Sequence, residues 1–260
     1  RITILICVVY KMSALCLSCI SADLGTPTSV EDYPSIVQVE NRVGAMWLQQ
    51  CAASVLTSYH VLSAASCFAD VSYSARNRRI RAGTSYRGVG GTVVEVYTAY
   101  HHPSFGGELG NDGDLTVVRI DGSLPLGGPI GQAAILGEGI VLPTGLGVTL
   151  VGWGTTAEGG LIGSNDLYSL SLKTVNNDKC LDVYYAAEDQ QTITENMVCV
   201  GLEETEGRDL DSRDAGTPLF YSNVTIGVVS FGVSRGDDEF PVVATAISSY
   251  TAWIVETAKL

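Results

Sequence analysis

Cysteine is the residue type whose number and spacing first suggest covalent chemistry in this 260-residue chain. Seven cysteines occur, three within the first 22 residues and four beyond them, namely Cys51, Cys67, Cys180 and Cys199. An even number in an exported chain favours two disulfides, and the local pairs Cys51–Cys67 and Cys180–Cys199 are the simplest of the possible connectivities. A metal site is the alternative, although His60 is the one histidine at ligand spacing from any of these cysteines.

The first 22 residues have the pattern of an export signal. The first residue is positively charged, the runs Ile2–Tyr10 and Met12–Ile20 are apolar, and two small residues follow. Lys11 interrupts the apolar stretch, which argues against a membrane-spanning helix, and a buried pair of strands is the remaining alternative. We therefore expect a signal peptide over residues 1–22 and a single domain over residues 23–260.

The composition indicates a large core inside an acidic surface. Apolar residues make up 46% of the chain, and a chain of this length can form one β-rich domain. The formal net charge is −13, with 15 Lys plus Arg against 28 Asp plus Glu. Such a surface repels phosphate backbones and anionic lipid, so neither nucleic acid nor a membrane is an expected partner.

Short apolar runs separated by Gly, Pro, Asn and Asp predict an all-β protein. The predicted strands are Ser35–Glu40, Ser54–Ser63, Thr92–Tyr100, Leu115–Ile120, Gly147–Gly152, Met197–Gly201, Val224–Phe231 and Pro241–Ala246. Their spacing fits two six-stranded antiparallel β-barrels. In the tail Ser248–Leu260, apolar residues recur at helical spacing, which predicts one closing amphipathic C-terminal helix.

A series of motifs follows these strands in a fixed order. They are Cys51-Ala-Ala-Ser-Val-Leu-Thr, His60-Val-Leu-Ser-Ala-Ala-Ser-Cys67, His102-Pro-Ser-Phe105, Asp114-Leu-Thr-Val-Val-Arg-Ile120, Val151-Gly-Trp-Gly154, Met197-Val-Cys-Val-Gly201, Ser230-Phe-Gly232 and Ser249-Tyr-Thr-Ala-Trp-Ile254. This order resembles that of the chymotrypsin-like serine proteases, and it is most similar to the trypsins of moth and butterfly midguts. The resemblance covers about residues 25–260 and implies a trypsin-like fold with disulfides Cys51–Cys67 and Cys180–Cys199.

The resemblance also gives the positions of a catalytic triad, in which a histidine takes the proton of an attacking serine and an aspartate orients the histidine. Asp114 matches the aspartate position, whereas Ser66 stands at the histidine position and Ala215 at the nucleophile position. A hydroxyl cannot accept a proton near neutral pH and a methyl group cannot attack, so we expect the chain not to be an enzyme. In this interpretation Ser66 has a structural role and hydrogen-bonds Asp114.

None of the three histidines lies at a position from which it would replace the missing catalytic histidine. His60 lies where the family has an ordinary strand residue, and His101 and His102 lie where the family often has a surface turn. Because none occupies a matching catalytic position, none is expected to catalyse.

Two further acids match positions that bind charged groups in the family. Asp209 resembles the aspartate at the floor of the specificity pocket; it would form a vestigial cation pocket or be a solvated loop acid. Asp214 matches the aspartate that pairs with the amino group created by activation cleavage. Residues 21–25 contain no Arg to cut after and no Ile to insert, so Asp214 must find another donor or lie in a loose loop.

Two short motifs suggest modification and adhesion. Asn223-Val-Thr225 is the only glycosylation sequon in the sequence, and it lies in a predicted turn. Arg235-Gly236-Asp237 spells a tripeptide that integrins recognise, although a tripeptide often arises by chance and a charged turn is the preferred interpretation.

The expected function is that of a secreted, extracellular serine protease homologue, present for example in a gut lumen, that acts by binding proteins as a decoy, cofactor or regulator. The expected partners are extracellular proteins such as protease inhibitors or proteases. We expect a monomer, and neither a metal nor an organic cofactor. The alternative is a trypsin-like digestive endopeptidase of weak activity, and an adhesion protein that uses Arg235–Asp237 is a more distant one.

Overall fold

The fold is seen in a computed structural model, which describes residues 25–70, 73–154, 164–186, 191–201, 215–232 and 240–260. Its strands, in chain order, are β1 (Thr26–Pro27), β2 (Ile36–Val43), β3 (Met46–Thr57), β4 (His60–Ser63), β5 (Arg78–Ala82), β6 (Thr92–His101), β7 (Thr116–Asp121), β8 (Ala134–Ile135), β9 (Gly147–Gly152), β10 (Tyr168–Val175), β11 (Met197–Gly201), β12 (Pro218–Tyr221), β13 (Val224–Phe231) and β14 (Val242–Ala246). Two α-helices accompany them in the described part of the chain, α1 (Asn177–Ala186) and α2 (Thr251–Thr257).

The first barrel is closed by six antiparallel strands in the order β2-β3-β4-β7-β6-β5. Inward side chains from every strand, among them Val37, Val55, Leu62 and Val117, form one apolar cluster. Small and β-branched residues dominate because they pack well on a strongly curved, pleated surface.

The second barrel closes in the order β9-β10-β11-β14-β13-β12, because β9 pairs with both β12 and β10. The short β1 adds to β10, and β8 runs parallel to β13. Its interior contains Leu150, Leu172, Val200 and Ile226. The predicted pair of six-stranded barrels is therefore confirmed.

Both expected disulfides are formed. Cys51 of β3 bonds Cys67 just after β4, and Cys180 of α1 bonds Cys199 of β11. The four cysteines beyond the first 22 residues are thus all paired, which is typical of proteins that fold in an oxidising compartment.

The predicted single strand Ser54–Ser63 is wrong, because the chain reverses at Ser58 and Tyr59. The Tyr59 amide N–H donates to the side-chain oxygen of Thr57 at 3.1 Å, and Thr57 then pairs with His60 across a hairpin. A short-range hydroxyl acceptor of this kind favours a turn over a continuous strand. His60 therefore begins β4 and does not lie in the middle of a longer strand.

The C-terminal helix was predicted over a longer stretch than it occupies, and α1 was not predicted. A 3₁₀ helix at Ile247–Ser249 precedes α2, which leaves only Thr251–Thr257 in α-helix. Within the described part of the chain, neither helix is long and apolar enough to cross a membrane. Residues 1–24, which include the expected signal peptide, lie outside the described residues.

Candidate functional site

Asp114 is at the centre of the candidate site, on the loop that joins β6 to β7. Its side chain points inward and only 1% of the residue is exposed. The preceding Gly113 has φ +66°, and a Cβ at this position would lie 2.1 Å from Ser104 Oγ. Only glycine fits both the positive φ and the close approach, so this glycine sets the turn that directs Asp114 into the protein.

The Asp114 carboxylate accepts hydrogen bonds from both barrels. The Ser66 backbone N–H donates to Oδ1 at 2.7 Å, and the Ser66 hydroxyl donates to Oδ2 at 2.9 Å. The Ser230 hydroxyl of the second barrel donates to Oδ2 at 2.6 Å. Burial raises the pKa of the Asp114 carboxyl above its ordinary value, and the hydrogen bonds from Ser230, Ser66 and Ala65 oppose that rise without cancelling it.

Ser66 lies in a 3₁₀ helix, Ala65–Cys67, directly after β4. The disulfide from Cys67 to Cys51 fixes the end of this turn, and the Phe68 N–H donates to the Ala65 carbonyl at 2.8 Å. Ser66 itself is exposed, although its hydroxyl hydrogen is committed to Asp114. Its oxygen keeps lone pairs that can accept a hydrogen bond from a bound group.

Ala215 lies where the second barrel meets the first. Its carbonyl accepts the Ala52 N–H of β3 at 3.1 Å, and its side chain is buried in the apolar cluster of the first barrel. That cluster also contains Cys67 and Leu115, the chain neighbours of Ser66 and Asp114. The structure thus brings Ser66, Asp114 and Ala215 to one region at the junction of the two barrels.

Gly216 determines how the segment after Ala215 fits against the first barrel. It has φ +79°, and a Cβ here would lie 2.2 Å from the Ala52 carbonyl oxygen and 2.3 Å from Ser63 Oγ. Its N–H donates to the Val229 carbonyl at 2.8 Å. A side chain at this position would separate the barrels, so the glycine is a structural requirement of the site.

Ser230 was not assigned a role from the sequence, although it holds Asp114 from the second barrel. The signal available was the motif Ser230-Phe-Gly232 at the end of β13. Nothing local to that motif points to Asp114, which lies 116 residues earlier. Only the pairing of the two barrels makes the contact.

A second buried carboxylate, Asp112, lies two residues before Asp114 and was also not predicted. It accepts hydrogen bonds from the Thr194 hydroxyl at 2.5 Å, the Asn196 amide at 3.2 Å and the Tyr250 hydroxyl at 3.2 Å. Burial, and next the negative charge of Asp112, raises the pKa of Tyr250, so the phenol stays protonated and remains a donor. This cluster joins the first barrel to the segments before β11 and α2.

No hydrogen bond within the described residues joins any of the three histidines to Asp114, although the His102 backbone N–H donates to the carbonyl of the neighbouring Leu115 at 2.9 Å. His60 contacts Thr57 Oγ1 through Nδ1 at 3.0 Å, while burial, and then Arg119, lowers its pKa. Burial also lowers the pKa of His101 and His102. These surroundings favour the neutral form of each side chain, although the negative charge of Asp112 opposes that effect at His102.

Several predicted positions lie outside the described residues. These are Asp209, Asp214 and the tripeptide Arg235–Asp237. Asn223 is described, and it is exposed in the turn between β12 and β13. Among residues 25–70, 73–154, 164–186, 191–201, 215–232 and 240–260, no three His, Cys, Asp or Glu side chains are grouped so that they could hold a metal ion.

A surface cavity of about 620 Å³ lies elsewhere, between the loop before β9, the start of α1 and the segment before β11. None of Ser66, Asp114, Ala215 and Ser230 lines this cavity. The candidate site lies instead at the junction of the two barrels, where the buried Asp114 accepts hydrogen bonds from the hydroxyls of Ser66 and Ser230.

Comparison with known proteins gives a consistent assignment. The family model described as Trypsin matches residues 24–254. Trypsin CFT-1 of Choristoneura fumiferana is 32% identical over 262 residues, which covers 96% of this chain and 99% of that protein. Alkaline trypsin C of Manduca sexta is 32% identical over 232 residues, which covers 88% of each chain.

Among solved structures, the scabies mite inactivated protease paralogue S-D1 superposes with a TM-score of 0.79. It is 24% identical in sequence, and the match covers 90% of this chain and 96% of that one. At this identity the likeness carries the fold alone.

The expectation that the chain is not an enzyme is corrected by this comparison. The curated relatives above are named trypsins, which are serine endopeptidases. The expectation rested on the side chains at positions 66 and 215, whereas the match extends over nearly the whole length of the relatives.

Proposed function

Since the chain belongs to the trypsin family, we propose that it is a secreted protein that binds extracellular protease inhibitors or proteases through the surface around Ser66. The two disulfides support secretion, because such bonds persist in oxidising compartments. This proposal concerns binding, for which a site needs shape and polar groups but not a reactive nucleophile.

The observation that carries the proposal is that, among the described residues, a hydrogen-bonded polar network lies beneath the exposed Ser66. Asp114 has donors from both barrels, and the exposed Ser66 is held to it by two hydrogen bonds. A surface whose groups are already fixed loses little conformational entropy when a partner binds. The barrel junction is therefore suited to recognising a rigid protein loop.

The charge of the chain favours a basic partner. A net charge of −13 creates a negative potential that attracts cations over long distances. Such attraction raises the rate of association and falls as salt is added. We therefore expect inhibitors that present Lys or Arg to bind faster at low ionic strength.

The first test measures binding of an immobilised Kunitz-type trypsin inhibitor by surface plasmon resonance. Leu109 is 51% exposed on the same loop that delivers Asp114, so Leu109→Arg should weaken the affinity by about tenfold or more, as truncating or blocking an interface anchor does. Leu126 is exposed to a similar degree, 42%, on the loop between β7 and β8, and Leu126→Arg is the matched control.

The outcomes separate the proposal from its competitors. Binding that is lost in Leu109→Arg and kept in Leu126→Arg supports recognition at the barrel junction. Equal loss in both variants, or no binding by the unmodified chain to inhibitors or proteases, contradicts the proposal.

A trypsin-like endopeptidase is the second candidate, and the names of the relatives favour it. Turnover of an arginine amide substrate, measured on the same preparations, tests it directly. Turnover that the inhibitor blocks in proportion to its binding would favour the endopeptidase, and the absence of turnover would contradict it.

A further inference from the structure

We propose that Asn223 carries an N-linked glycan whose first sugar packs against the ring of Tyr221. The inference rests on the secretion included in the proposed function, since this modification occurs in the secretory pathway. It concerns a site at the opposite end of β12 from Ala215.

The turn that holds Asn223 is short and exposed. Tyr221 pairs with Val224 across the hairpin of β12 and β13, which leaves Ser222 and Asn223 as a two-residue loop. Ser222 has φ +52°, the left-handed conformation that two-residue hairpins require of a central residue. Asn223 is exposed, and no hydrogen bond within the described residues engages its amide.

The sequence at this turn supplies a complete acceptor. Glycan transfer requires Asn-X-Ser/Thr, and Asn223-Val-Thr225 is the single match in the chain. In the folded protein Thr225 is fully buried, and its hydroxyl has no partner among the described residues. Transfer therefore precedes the pairing of β13, while Thr225 is still accessible to the transferase.

The covalent step is a substitution at the anomeric carbon of a lipid-linked oligosaccharide diphosphate. The Asn223 side-chain nitrogen forms a bond to C1 of the reducing-end N-acetylglucosamine, and the bond from C1 to the diphosphate oxygen breaks. The lipid diphosphate leaves with the electron pair of that bond, and the amide gives up one proton to a base of the transferase. No oxidation or reduction takes place.

Tyr221 offers the attached sugar an apolar surface. It is 48% exposed, whereas Leu219 and Phe220 before it are buried. Directly opposed strand residues have Cβ atoms about 4.5–5.5 Å apart, which places Tyr221 beside Val224 and hence close to Asn223. The C–H face of a pyranose packs well on an aromatic ring that has an apolar body and a polar tip.

The position of the turn leaves the candidate site free. The four residues of β12 separate it from the Ala215-Gly216 segment by about 13 Å, at about 3.3 Å per residue. Beside the turn lies β8, which pairs with Val224 and Thr225. The glycan should therefore shield the β8 side of the second barrel and leave inhibitor binding unchanged.

The test expresses the full chain behind an established export signal in insect cells, so that entry into the secretory pathway does not depend on residues 1–22. Intact mass before and after peptide N-glycosidase should reveal one glycan, with Asn223 converted to Asp on release. Asn223→Gln should abolish it, and Asn165→Gln, at another exposed asparagine outside any sequon, should retain it. Exported protein with an unmodified Asn223 would overturn the proposal whatever the chain binds.

The packing on Tyr221 is tested by melting temperature before and after enzymatic release of the glycan. Release should lower the melting temperature by about 2 °C or more in the unmodified chain and in Tyr221→Phe, and by clearly less in Tyr221→Ala. Release also creates an Asp in all three proteins, so its charge cancels in the comparison. An equal fall in all three would refute the contact between sugar and ring.

Discussion

A buried carboxyl with a raised pKa binds its proton more tightly in the folded chain than in the unfolded one, and Asp114 is such a group. As pH rises above the ordinary value of 3.8, the unfolded chain loses this proton first. The unfolded state then binds fewer protons than the native state, so the free energy of unfolding falls with rising pH until the native carboxyl also ionises. Asp114 therefore contributes less to the free energy of unfolding at neutral pH than it does in acid.

This argument predicts the behaviour of Asp114→Asn, which keeps the size of the side chain and cannot ionise. The stability of the unmodified chain relative to this variant should fall as pH is raised from about 4 to about 8, in the direction that linkage requires. Urea unfolding of both proteins across that range measures the difference. Asp121→Asn, at an exposed position, is the matched control. A relative stability that rises with pH would mean that hydrogen bonds outweigh burial at Asp114.

The packing of whole elements against one another depends on a few backbone positions, and Gly216 is one of them. The segment Ala215-Gly216 leads into β12 and lies against β3 and β4 of the other barrel. A methyl group at Gly216 would overlap the Ala52 carbonyl oxygen, which belongs to a strand and cannot move aside.

Gly216→Ala should therefore destabilise the chain far more than an ordinary glycine substitution. Gly106 provides a matched control, since its φ of +76° is close to the +79° of Gly216 while nothing lies within 4 Å of its would-be Cβ. The conformational strain of about 1–2 kcal/mol is common to both, and the overlap at Gly216 should add about 1–3 kcal/mol. Chemical denaturation of the two variants isolates that additional cost. Equal destabilisation would show that φ alone accounts for the requirement.

The elements that were predicted well from the sequence are those whose apolar run and flanking turn residues are both local to the segment. Strands such as Gly147–Gly152, Met197–Gly201 and Val224–Phe231 were predicted with the bounds they have. Helix α1 was missed because its stability comes from tertiary contacts, which dominate in short helices. Tyr184 packs on Phe231 and Phe240 and donates its hydroxyl to the Pro241 carbonyl at 2.7 Å.

The motifs predicted the positions of the site residues in the sequence, but they did not predict the contacts between those residues. Ser66, Asp114 and Ala215 were located from neighbouring motif residues, and the structure brings them to one region. The roles of Ser230 and Asp112 were not predicted, because their partners lie far away in the chain. Ser230 is 116 residues from Asp114, and Asp112 is 82 residues from Thr194. Hydrogen bonds between residues so far apart produce no periodic pattern in the sequence.

On the scale of the whole molecule, two separately closed barrels must unfold together if the chain is to behave as one domain. Asp112 is placed to couple them, since it lies on a loop of the first barrel and accepts donors from the segment before β11. The Tyr250 hydroxyl adds the C-terminal segment to the same carboxylate. The coupling is buried and therefore weakly screened by salt.

Asp112→Ala should therefore weaken both the stability and the cooperativity of the chain. Removing the carboxylate leaves the hydroxyls of Thr194 and Tyr250 and the amide of Asn196 without their acceptor, at a cost of about 2–4 kcal/mol. If the barrels then open separately, the denaturant dependence of unfolding should become shallower, because less surface is exposed in each step.

Asp121→Ala, at an exposed position of β7, should change stability by about 0.5 kcal/mol or less. Urea unfolding followed by tryptophan fluorescence and by circular dichroism gives both quantities, and two non-coincident transitions in Asp112→Ala alone would identify this carboxylate as the link between the barrels. A variant that loses stability but keeps a single transition of unchanged steepness would place the coupling in the apolar contacts between the barrels instead.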